Sequence, residues 1–307
     1  GMADGSPVAL RASISDAVGA AWARAWGAEA IGLVRSEYLC PRGARAPDRA
    51  FYHQALGRLA DAAAPLPVTV RLLDLAPDKA PPWLGRPSGF GASLGRHGSR
   101  LFDDEPARGA MQAEAGALAE LAGRLPLSVL VPYLTDVAEF RRWRAELAGI
   151  LPATLPVGAM LETPAAVQEV AAFQALGEPV GIGCNDLMQA FFAADRDVPE
   201  VAALLNPYAP AMFRFLGRAA EAAGAGAGRV MLCGLLPQMP GLLPVLLGLG
   251  FRTFSVEPAL LPHLARTVAA TDPAEARRLA VAVMAARESG EVQAALGLPP
   301  GSPWQVA

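Results

Sequence analysis

The sequence has 307 residues, of which 53% are hydrophobic and 18% are charged, and its formal net charge is −3. This composition excludes a disordered chain and predicts one large domain or two ordinary ones with a well-buried core. The near-neutral charge provides no basic field for nucleic acid or an anionic membrane, so any bound anion must be held by a few placed arginines.

The three cysteines, Cys40, Cys184 and Cys233, are widely spaced and form no CxxC pair. This set argues against a disulfide framework or a zinc site and favours a reducing compartment. The first residues lack a basic segment followed by a long apolar one, and the most apolar stretch, 241–251, is interrupted by Pro244. We therefore expect a soluble, cytoplasmic protein that binds neither membrane nor nucleic acid.

Short apolar runs alternate with longer amphipathic segments along the chain. In chain order, the apolar runs are residues 8–14, 30–38, 68–75, 127–134, 157–162, 180–186, 229–234 and 253–258. A segment with helical periodicity follows each run, with a loop expected between the sixth run and its helix. Eight such units, with strands too apolar to have a solvated face, predict a parallel (β/α)8 TIM barrel.

The predicted barrel occupies about residues 8–271, and an extra helical segment follows over about 272–307. We expect the whole chain, 1–307, to form a single domain, since a barrel of this kind needs roughly 250 residues. The glycine-rich stretch near 222–228 is interpreted as a helix end and loop, not as a domain linker.

Polar side chains stand at the carboxyl ends of five predicted strands, which is the end where such barrels carry their active sites. Burying these groups is costly unless they are paired, so their repetition at one end indicates function. The groups are Arg35 and Glu37 after strand 2, Arg71, Asp74, Asp78 and Lys79 on and after strand 3, Glu162 after strand 5, Asn185 and Asp186 after strand 6, and Cys233 after strand 7.

Glu162 and Asp186 come from neighbouring strands, so their carboxylates would repel each other unless a cation lies between them. Oxygen ligands of this kind favour Mg²⁺ or Mn²⁺ over zinc. The alternative is that both carboxylates form salt bridges with the local arginines.

Arg35, Arg71 and Arg196 are candidates for binding a multiply charged oxyanion, because arginine holds phosphate and carboxylate in a directional, bidentate way. The alternative is an ion-pair network with Glu37 and Asp74, and both arrangements can hold together if the acids orient the arginines.

Cys233 would face this site, where a thiol can act as a nucleophile or as a proton donor. No histidine stands close in sequence to activate it, and a thiol among anionic groups is better placed to donate a proton. Simple packing is the alternative for Cys233, and a core position is expected for Cys184. His97, in the loop after strand 3, could reach the barrel mouth.

Taken together, nine segments resemble, in order, the PEP-binding barrel of the PEP-utilising enzymes, which include enzyme I of the sugar phosphotransferase system, pyruvate phosphate dikinase and PEP synthase. For example, GAMLETPAA resembles GxMxExPAA, GIGCNDLMQAFFAADRD resembles SIGTNDLTQYxxAxDR, and VMLCGLLP resembles GMCGE. The other segments are IGLVRSEYL, VRLLDLAPDK, GASLGRHGSR, VLVPYLTDVAEFRRWRAEL, LLNPYAPA and LLGLGFRTFSVEP.

The resemblance implies roles for individual residues in the cleavage of the enol phosphate of PEP. By position, the arginines hold the phosphate and carboxylate of PEP, Asn185 contacts substrate, and Glu162 and Asp186 bind Mg²⁺. Cys233 matches the cysteine that protonates C3 of the enolate as pyruvate forms. Lys79 and His97 complete the set of candidate substrate contacts, and a homodimer is expected from the family.

Three departures from the family pattern are visible. His97 takes the place of an arginine, Ala76-Pro77 replaces a glycine position, and Leu235 stands where the family has a glutamate. The family's phosphohistidine motif is also absent from the surroundings of the three histidines, so a separate histidine-carrying protein or domain is the expected partner.

Three interpretations stay open at this point. The first is a Mg²⁺-dependent PEP/pyruvate phosphotransferase barrel that works with a histidine partner. The second is a stand-alone lyase or aldolase of the same superfamily, acting on a 2-oxo acid or a CoA thioester. The third is a degenerate barrel that binds PEP or another oxyacid without catalysis.

Overall fold

A closed barrel of eight parallel strands forms the centre of the molecule. The computed structural model describes residues 1–40, 43, 45–75, 80–85 and 95–299. Within them each strand pairs with the next and β8 pairs with β1, so the predicted (β/α)8 barrel is confirmed. The strands are β1 (Ala9–Ile14), β2 (Ile31–Arg35), β3 (Val68–Arg71), β4 (Leu127–Leu134), β5 (Val157–Leu161), β6 (Val180–Gly183), β7 (Met231–Cys233) and β8 (Thr253–Val256).

The α-helices surround the barrel and extend beyond it at the C-terminal end of the chain. Among the described residues they are α1 (Ala17–Ala25), α2 (Arg49–Ala63), α3 (Ala107–Leu121), α4 (Val137–Leu147), α5 (Pro164–Gln168), α6 (Val170–Leu176), α7 (Cys184–Phe192), α8 (Pro199–Ala202), α9 (Pro210–Ala223), α10 (Leu242–Leu249), α11 (Leu261–Ala270), α12 (Pro273–Ala285) and α13 (Ser289–Ala295).

Three strands pass into their helices through very short connections. After β1, β4 and β5 only two residues precede the helix, and the second of them caps it: Asp16, Asp136 and Thr163 each accept a hydrogen bond from a first-turn N–H. Such caps satisfy donors that the helix itself leaves unpaired. The short connections fix the side chains at these strand ends, including Glu162.

The structure differs from the sequence prediction after β6. A loop was expected there, but α7 begins at Cys184, directly after β6 ends at Gly183. The prediction was wrong because the apolar run was extended through Asn185 and Asp186. Small polar and acidic residues in fact suit the first turn of a helix, where its dipole favours negative charge.

Two groups of buried apolar residues make up the core. The larger one lies between the outer faces of the strands and the surrounding helices, and it includes Ala276, Ala280 and Val283 of α12. The smaller one lies inside the barrel and consists of Leu33, Leu130, Met160, Met231 and Cys233. The barrel interior is therefore filled by side chains, as expected for eight strands.

The C-terminal helices pack on the rest of the chain, with α12 against α10. Their residues share the main core with the barrel, and this packing is compatible with the single domain expected from the sequence, which stays a prediction. None of the helices in the described residues combines the length and apolarity required to cross a membrane.

Candidate active site

A cavity of about 570 Å³ opens at the carboxyl ends of the strands. This is the end of the barrel at which the sequence places its polar groups, and a cavity of this size holds a small-molecule ligand. Seven of the predicted site residues line it: Arg35, Arg71, Glu162, Asn185, Asp186, Arg196 and Cys233.

Arg71 lies at the centre of a buried ion-pair network. Its Nη1 is 2.8 Å from Asp74 Oδ2 and 2.9 Å from Glu162 Oε1, and its Nη2 is 2.8 Å from Glu37 Oε1. Burial alone lowers the pKa of Arg71, but the carboxylates of Asp74, Glu37 and Glu162 outweigh it and hold that pKa well above its usual value. Arg71 is therefore a fixed positive charge around which three acids are arranged.

Three carboxylates of this region lie close enough to share one cation. Ligand oxygens of Asp74, Glu162 and Asp186 all lie within 4.8 Å of one another. Burial, together with the charges of Asp74 and Asp186, raises the pKa of Glu162 to about 8 against the lowering effect of Arg71. Such mutual repulsion is what a divalent cation relieves, and an all-carboxylate donor set fits Mg²⁺ or Mn²⁺.

Glu162 is held in place from two sides. Its Oε2 accepts a hydrogen bond of 2.9 Å from the backbone N–H of Tyr133. Its Oε1 accepts the hydrogen bond from Arg71 Nη1 described above. Gly183 leaves the necessary space, because a Cβ at that position would lie 2.6 Å from both Cγ and Oε1 of Glu162. The carboxylate therefore has one orientation, toward the cavity and its acidic neighbours.

The start of α7 brings Asn185 and Asp186 to the cavity. One turn later, the Gln189 amide donates to Asp186 Oδ1 at 3.0 Å and accepts the backbone N–H of Arg196 at 2.9 Å. The Arg196 Nη1 lies 3.4 Å from Asp186 Oδ1. Gln189 thus ties a candidate metal ligand to the segment that carries a candidate anion-binding arginine.

Arg35 reaches the cavity from the end of β2. Its Nη2 donates to Ser15 Oγ at 3.2 Å and lies 3.7 Å from Glu257 Oε1, while the guanidinium stacks over the Tyr38 ring at 4.8 Å. Its buried Nε has no hydrogen-bond partner among the residues that the structure describes. Arg35 is less saturated by carboxylates than Arg71, which makes it the better placed of the two to bind an anion.

Cys233 forms part of the cavity floor at the end of β7. It is fully buried, and this burial raises the pKa of its thiol well above the usual value, an effect that nearby Cys184 and Glu162 increase. The thiol is therefore protonated at neutral pH, which suits a proton donor and not a nucleophile.

The turn after Cys233 is fixed against α7. Gly234 has φ +95°, and a Cβ there would lie 2.6 Å from Asn185 Oδ1. The same oxygen accepts the backbone N–H of Leu235 at 2.8 Å. A glycine is required here both by the backbone conformation and by the close approach of Asn185.

One predicted substrate contact, His97, is not among the residues that line the main cavity. His97 lies beside it, packs against Tyr133 with tilted ring planes and centroids 4.5 Å apart, and lines a smaller cavity of about 140 Å³ that shares Asp186 with the main one. Lys79 lies outside the described residues. Both roles stay predictions.

The sequence prediction missed several residues that the structure brings to the site, Asp74 and Gln238 among them. Asp74 was interpreted only as a partner for arginine, although its place just beyond β3 parallels that of Glu162 beyond β5 and could have suggested a third ligand. Gln238 also lines the cavity, where its amide donates to Gly234 O at 2.7 Å and accepts from the Glu257 N–H at 3.0 Å. No sequence pattern pointed to Gln238.

Fold and site together define a parallel (β/α)8 barrel with acidic residues and arginines at the catalytic end. The chain belongs to the family described as PEP-utilising enzyme, PEP-binding domain, whose model matches residues 1–272. The resemblance inferred from the nine motifs is thereby confirmed.

Three curated relatives illustrate the similarity. The phosphoenolpyruvate-protein phosphotransferase of Streptomyces coelicolor is 33% identical over 295 residues, covering 95% of this chain and 52% of the relative. The protein of the same name from Cupriavidus necator is 33% identical over 273 residues, covering 84% and 46%. A multiphosphoryl transfer protein of Escherichia coli is 28% identical over 303 residues, covering 95% and 36%. The chain thus spans about half the length, or less, of these relatives.

Proposed function

We propose that this chain is the PEP-binding part of a phosphotransferase, acting with a histidine on a domain or protein outside it. The observation that carries the proposal is the joint presence in one cavity of the Glu162 and Asp186 carboxylates, the arginines and the buried Cys233 thiol, with the Asp74 carboxylate within 4.8 Å of the other two acids. The relatives named as phosphoenolpyruvate-protein phosphotransferases support it.

In this proposal the arginines bind and orient PEP. Arg35 and Arg196 contact the phosphate and carboxylate, Arg71 supplies a fixed positive charge, and the Asn185 amide makes a further substrate contact. Asp74, Glu162 and Asp186 would hold Mg²⁺ or Mn²⁺, which when bound stabilises negative charge on the transferring phosphoryl group and on the enolate.

The proposed reaction breaks the bond between phosphorus and the enol oxygen of PEP. The phosphoryl group passes to a ring nitrogen of the acceptor histidine, and the enolate of pyruvate remains in the cavity. The Cys233 thiol then gives its proton to C3, forming the new C–H bond, and the thiolate recovers a proton from solvent. Its raised pKa favours rapid reprotonation.

The binding step can be tested without the acceptor. Titration calorimetry with oxalate, a mimic of the pyruvate enolate, should show binding that requires Mg²⁺ and is lost in Glu162→Ala and in Asp186→Ala. Glu178→Ala is a matched control, since Glu178 pairs with Arg229 on the surface. Failure of PEP, oxalate, pyruvate and oxaloacetate to bind the parent chain with Mg²⁺ would rule the proposal out.

The phosphoryl acceptor separates this function from that of a lyase or aldolase. A phosphotransferase part should form pyruvate from PEP only when a histidine-carrying domain is added, whereas a lyase would act on a 2-oxo acid alone. The finer parts of the proposal are a homodimer, which sedimentation analysis would reveal, and a cytoplasmic location, where PEP is available and thiols stay reduced.

A further inference from the structure

Glu114 is a buried acid that the proposed reaction does not use. It lies in the middle of α3, in the outer ring of helices, and its exposed fraction is 0%. Glutamate is rarely buried to this extent without a charged partner. The sequence around it, MQAEAGALAEL, gives no sign that this acid differs from the exposed Glu120 on the same helix.

The contact that Glu114 makes reaches the segment just beyond β3. After β3 ends at Arg71, the backbone N–H of Leu72 still bonds to Leu130 O of β4, at 2.9 Å. The next N–H, that of Leu73, donates instead to Glu114 Oε2 at 2.8 Å. The side chain of an outer helix therefore replaces a strand neighbour as the acceptor for this buried backbone group.

Burying the carboxyl group of Glu114 costs free energy, because the group loses its hydration. Within the part of the chain that the structure describes, no hydrogen bond of ordinary geometry reaches its buried Oε1, because the nearby Ser36 hydroxyl donates to Arg71 O. The pKa of Glu114 is raised to about 8, chiefly by burial and to a lesser extent by the charge of Glu37, against the lowering effects of the Ser36 hydroxyl, the Leu73 N–H and the charge of Arg71. An apolar side chain would avoid this desolvation but would leave the buried Leu73 N–H without its acceptor, so the carboxyl is explained by the backbone group that it holds.

Leu73 connects two residues of the site, because Arg71 precedes it by two positions and Asp74 follows it directly. Asp74 lies 2.8 Å from Arg71 Nη1 and within 4.8 Å of the other candidate ligand oxygens. These distances depend on the direction in which the backbone leaves β3. A tether on Leu73 fixes that direction.

We infer that Glu114 is a positioning residue for the candidate metal site, acting through Leu73 to hold Asp74 in ligand position beside Glu162 and Asp186. This role rests on the metal site of the proposed function. Helix α3 contributes no residue to the cavity lining described above. Through Glu114 it nevertheless influences the affinity of the site for a cation.

The test compares three variants with the parent chain, using Mn²⁺ alone as the probe. Glu114→Leu removes the acceptor, Glu114→Gln retains a carbonyl oxygen in its place, and Glu120→Leu makes the same change at the partly exposed surface of α3. Mn²⁺ affinity is measured by calorimetry, and protection of the Leu73 amide by hydrogen exchange in metal-free protein.

Glu114→Leu is expected to weaken Mn²⁺ binding by about 10- to 100-fold, the usual effect of losing an outer partner of a ligand. It should also speed exchange of the Leu73 amide by about tenfold or more, since each lost hydrogen bond of about 1.4 kcal/mol is tenfold in the opening equilibrium. Glu114→Gln and Glu120→Leu should stay within about threefold of the parent in affinity. A purely structural role would lower the melting temperature without this split in Mn²⁺ affinity.

Parent-like Mn²⁺ affinity in Glu114→Leu would overturn the inference while leaving the proposed function intact. If Glu114→Leu does not fold, Glu114→Asp withdraws the acceptor by one methylene and should show the same loss of affinity; parent-like binding by this variant would likewise overturn it. Absence of Mn²⁺ binding by the parent chain would overturn the proposed metal site, and this role with it.

Discussion

The thiol of Cys233 has apolar neighbours inside the barrel, including Leu33 and Met160, and faces the acidic and basic residues above them. Both surroundings keep it protonated, because an apolar environment disfavours a thiolate and the nearby Glu162 adds to the effect. A protonated thiol at the base of a substrate cavity can deliver its proton to carbon without water entering the site.

Cys233→Ala should therefore slow the exchange of solvent protons into C3 of pyruvate by about 10²-fold or more, the usual contribution of a general acid or base. The exchange is followed by NMR in D₂O with Mg²⁺ present. Oxalate affinity should stay within a few-fold of the parent, because the thiol acts on the proton and not on binding.

Cys184→Ala is the matched control for this prediction. Cys184 is an equally buried cysteine close to Cys233, and burial raises the pKa of its thiol to about 12. Its loss should leave the exchange rate near that of the parent. Parent-like exchange in Cys233→Ala would remove the proton-donor role.

Glu114 leads to a pH-dependent prediction about stability. The pKa of Glu114 is about 8 in the folded protein and about 4.3 in an unfolded chain. Between these pH values the folded state therefore holds one proton more than the unfolded state. The stability that this proton contributes is complete below about pH 4 and is lost as the pH rises through about 8. Glu114→Gln should therefore gain stability relative to the parent between pH 5 and pH 8.

The expected slope of this difference is up to about 1.4 kcal/mol per pH unit. It is measured by urea unfolding of the metal-free proteins at several pH values. Glu120→Gln, at the partly exposed Glu120 on the same helix, is the control for the glutamate-to-glutamine change itself. A difference between Glu114→Gln and the parent that stays constant with pH would contradict the raised pKa of Glu114.

At the scale of elements, the cavity depends on how the β7 turn meets α7. Gly234 brings this turn against Asn185, whose side chain in turn accepts the backbone N–H of Leu235. The contact joins the segment after the proton-donor candidate to the helix that carries Asp186. This contact therefore fixes the end of β7 against the start of α7.

Gly234→Ala should disrupt this contact, because its Cβ would lie 2.6 Å from Asn185 Oδ1. We expect a loss of about 1–3 kcal/mol in unfolding free energy together with weaker oxalate binding, measured by urea unfolding and calorimetry. Gly250→Ala is the control, since Gly250 has φ +110° but its nearest foreign atom would be 3.9 Å from the Cβ.

The control should lose stability through backbone strain alone and keep its affinity for oxalate. The difference between the two variants isolates the displacement of Asn185. Equal oxalate affinity in both would show that the close packing of the β7 turn on α7 has no influence on the site.

At the scale of the whole molecule, the barrel concentrates negative charge at one end although the net charge is only −3. The carboxylates of Asp74, Glu162 and Asp186 converge there. The buried Arg71 pairs with Asp74, Glu162 and a fourth acid, Glu37. A divalent cation should therefore stabilise the fold as well as the substrate. Saturation at about 100 times the dissociation constant adds about 2.7 kcal/mol.

Mn²⁺ should raise the melting temperature of the parent by roughly 5 °C, measured by calorimetric scans with and without the ion. Asp74→Asn should lose most of this gain, because Asp74 is inferred to be the third ligand. Asp61→Asn, which alters a surface pair with Arg124, should keep it. An undiminished gain in Asp74→Asn would restrict the ligands to Glu162 and Asp186.

The sequence was sufficient to predict the barrel because all eight strands are apolar runs followed by helical periodicity. It failed after β6, where the run 180–186 contains both the strand and the first turn of α7. Periodicity cannot locate such a boundary, since Cys184 is as apolar as the strand before it. Only the Asn185-Asp186 pair hinted at a helix start.

The site was predictable where a side chain directly ends a strand, as Arg35 and Arg71 do, or follows it, as Glu162 does. It was not predictable where tertiary packing decides the orientation. The direction of Asp74 depends on the backbone beyond β3, and the tether on that backbone comes from Glu114, about 40 residues later in the chain. The spacing of residues in the sequence does not predict the hydrogen bond between Leu73 and Glu114.

Glu37, Asp74 and Glu162 share the guanidinium of Arg71, and this sharing limits which substitutions the barrel can accept. Removal of one acid lets the arginine shift toward the remaining two, so the effects of two substitutions will not be the sum of the single ones. Removal of Arg71 leaves three buried acids in mutual repulsion. A series of single substitutions in this network therefore passes through variants of low stability. Simultaneous substitutions that compensate one another are the ones that the fold can tolerate.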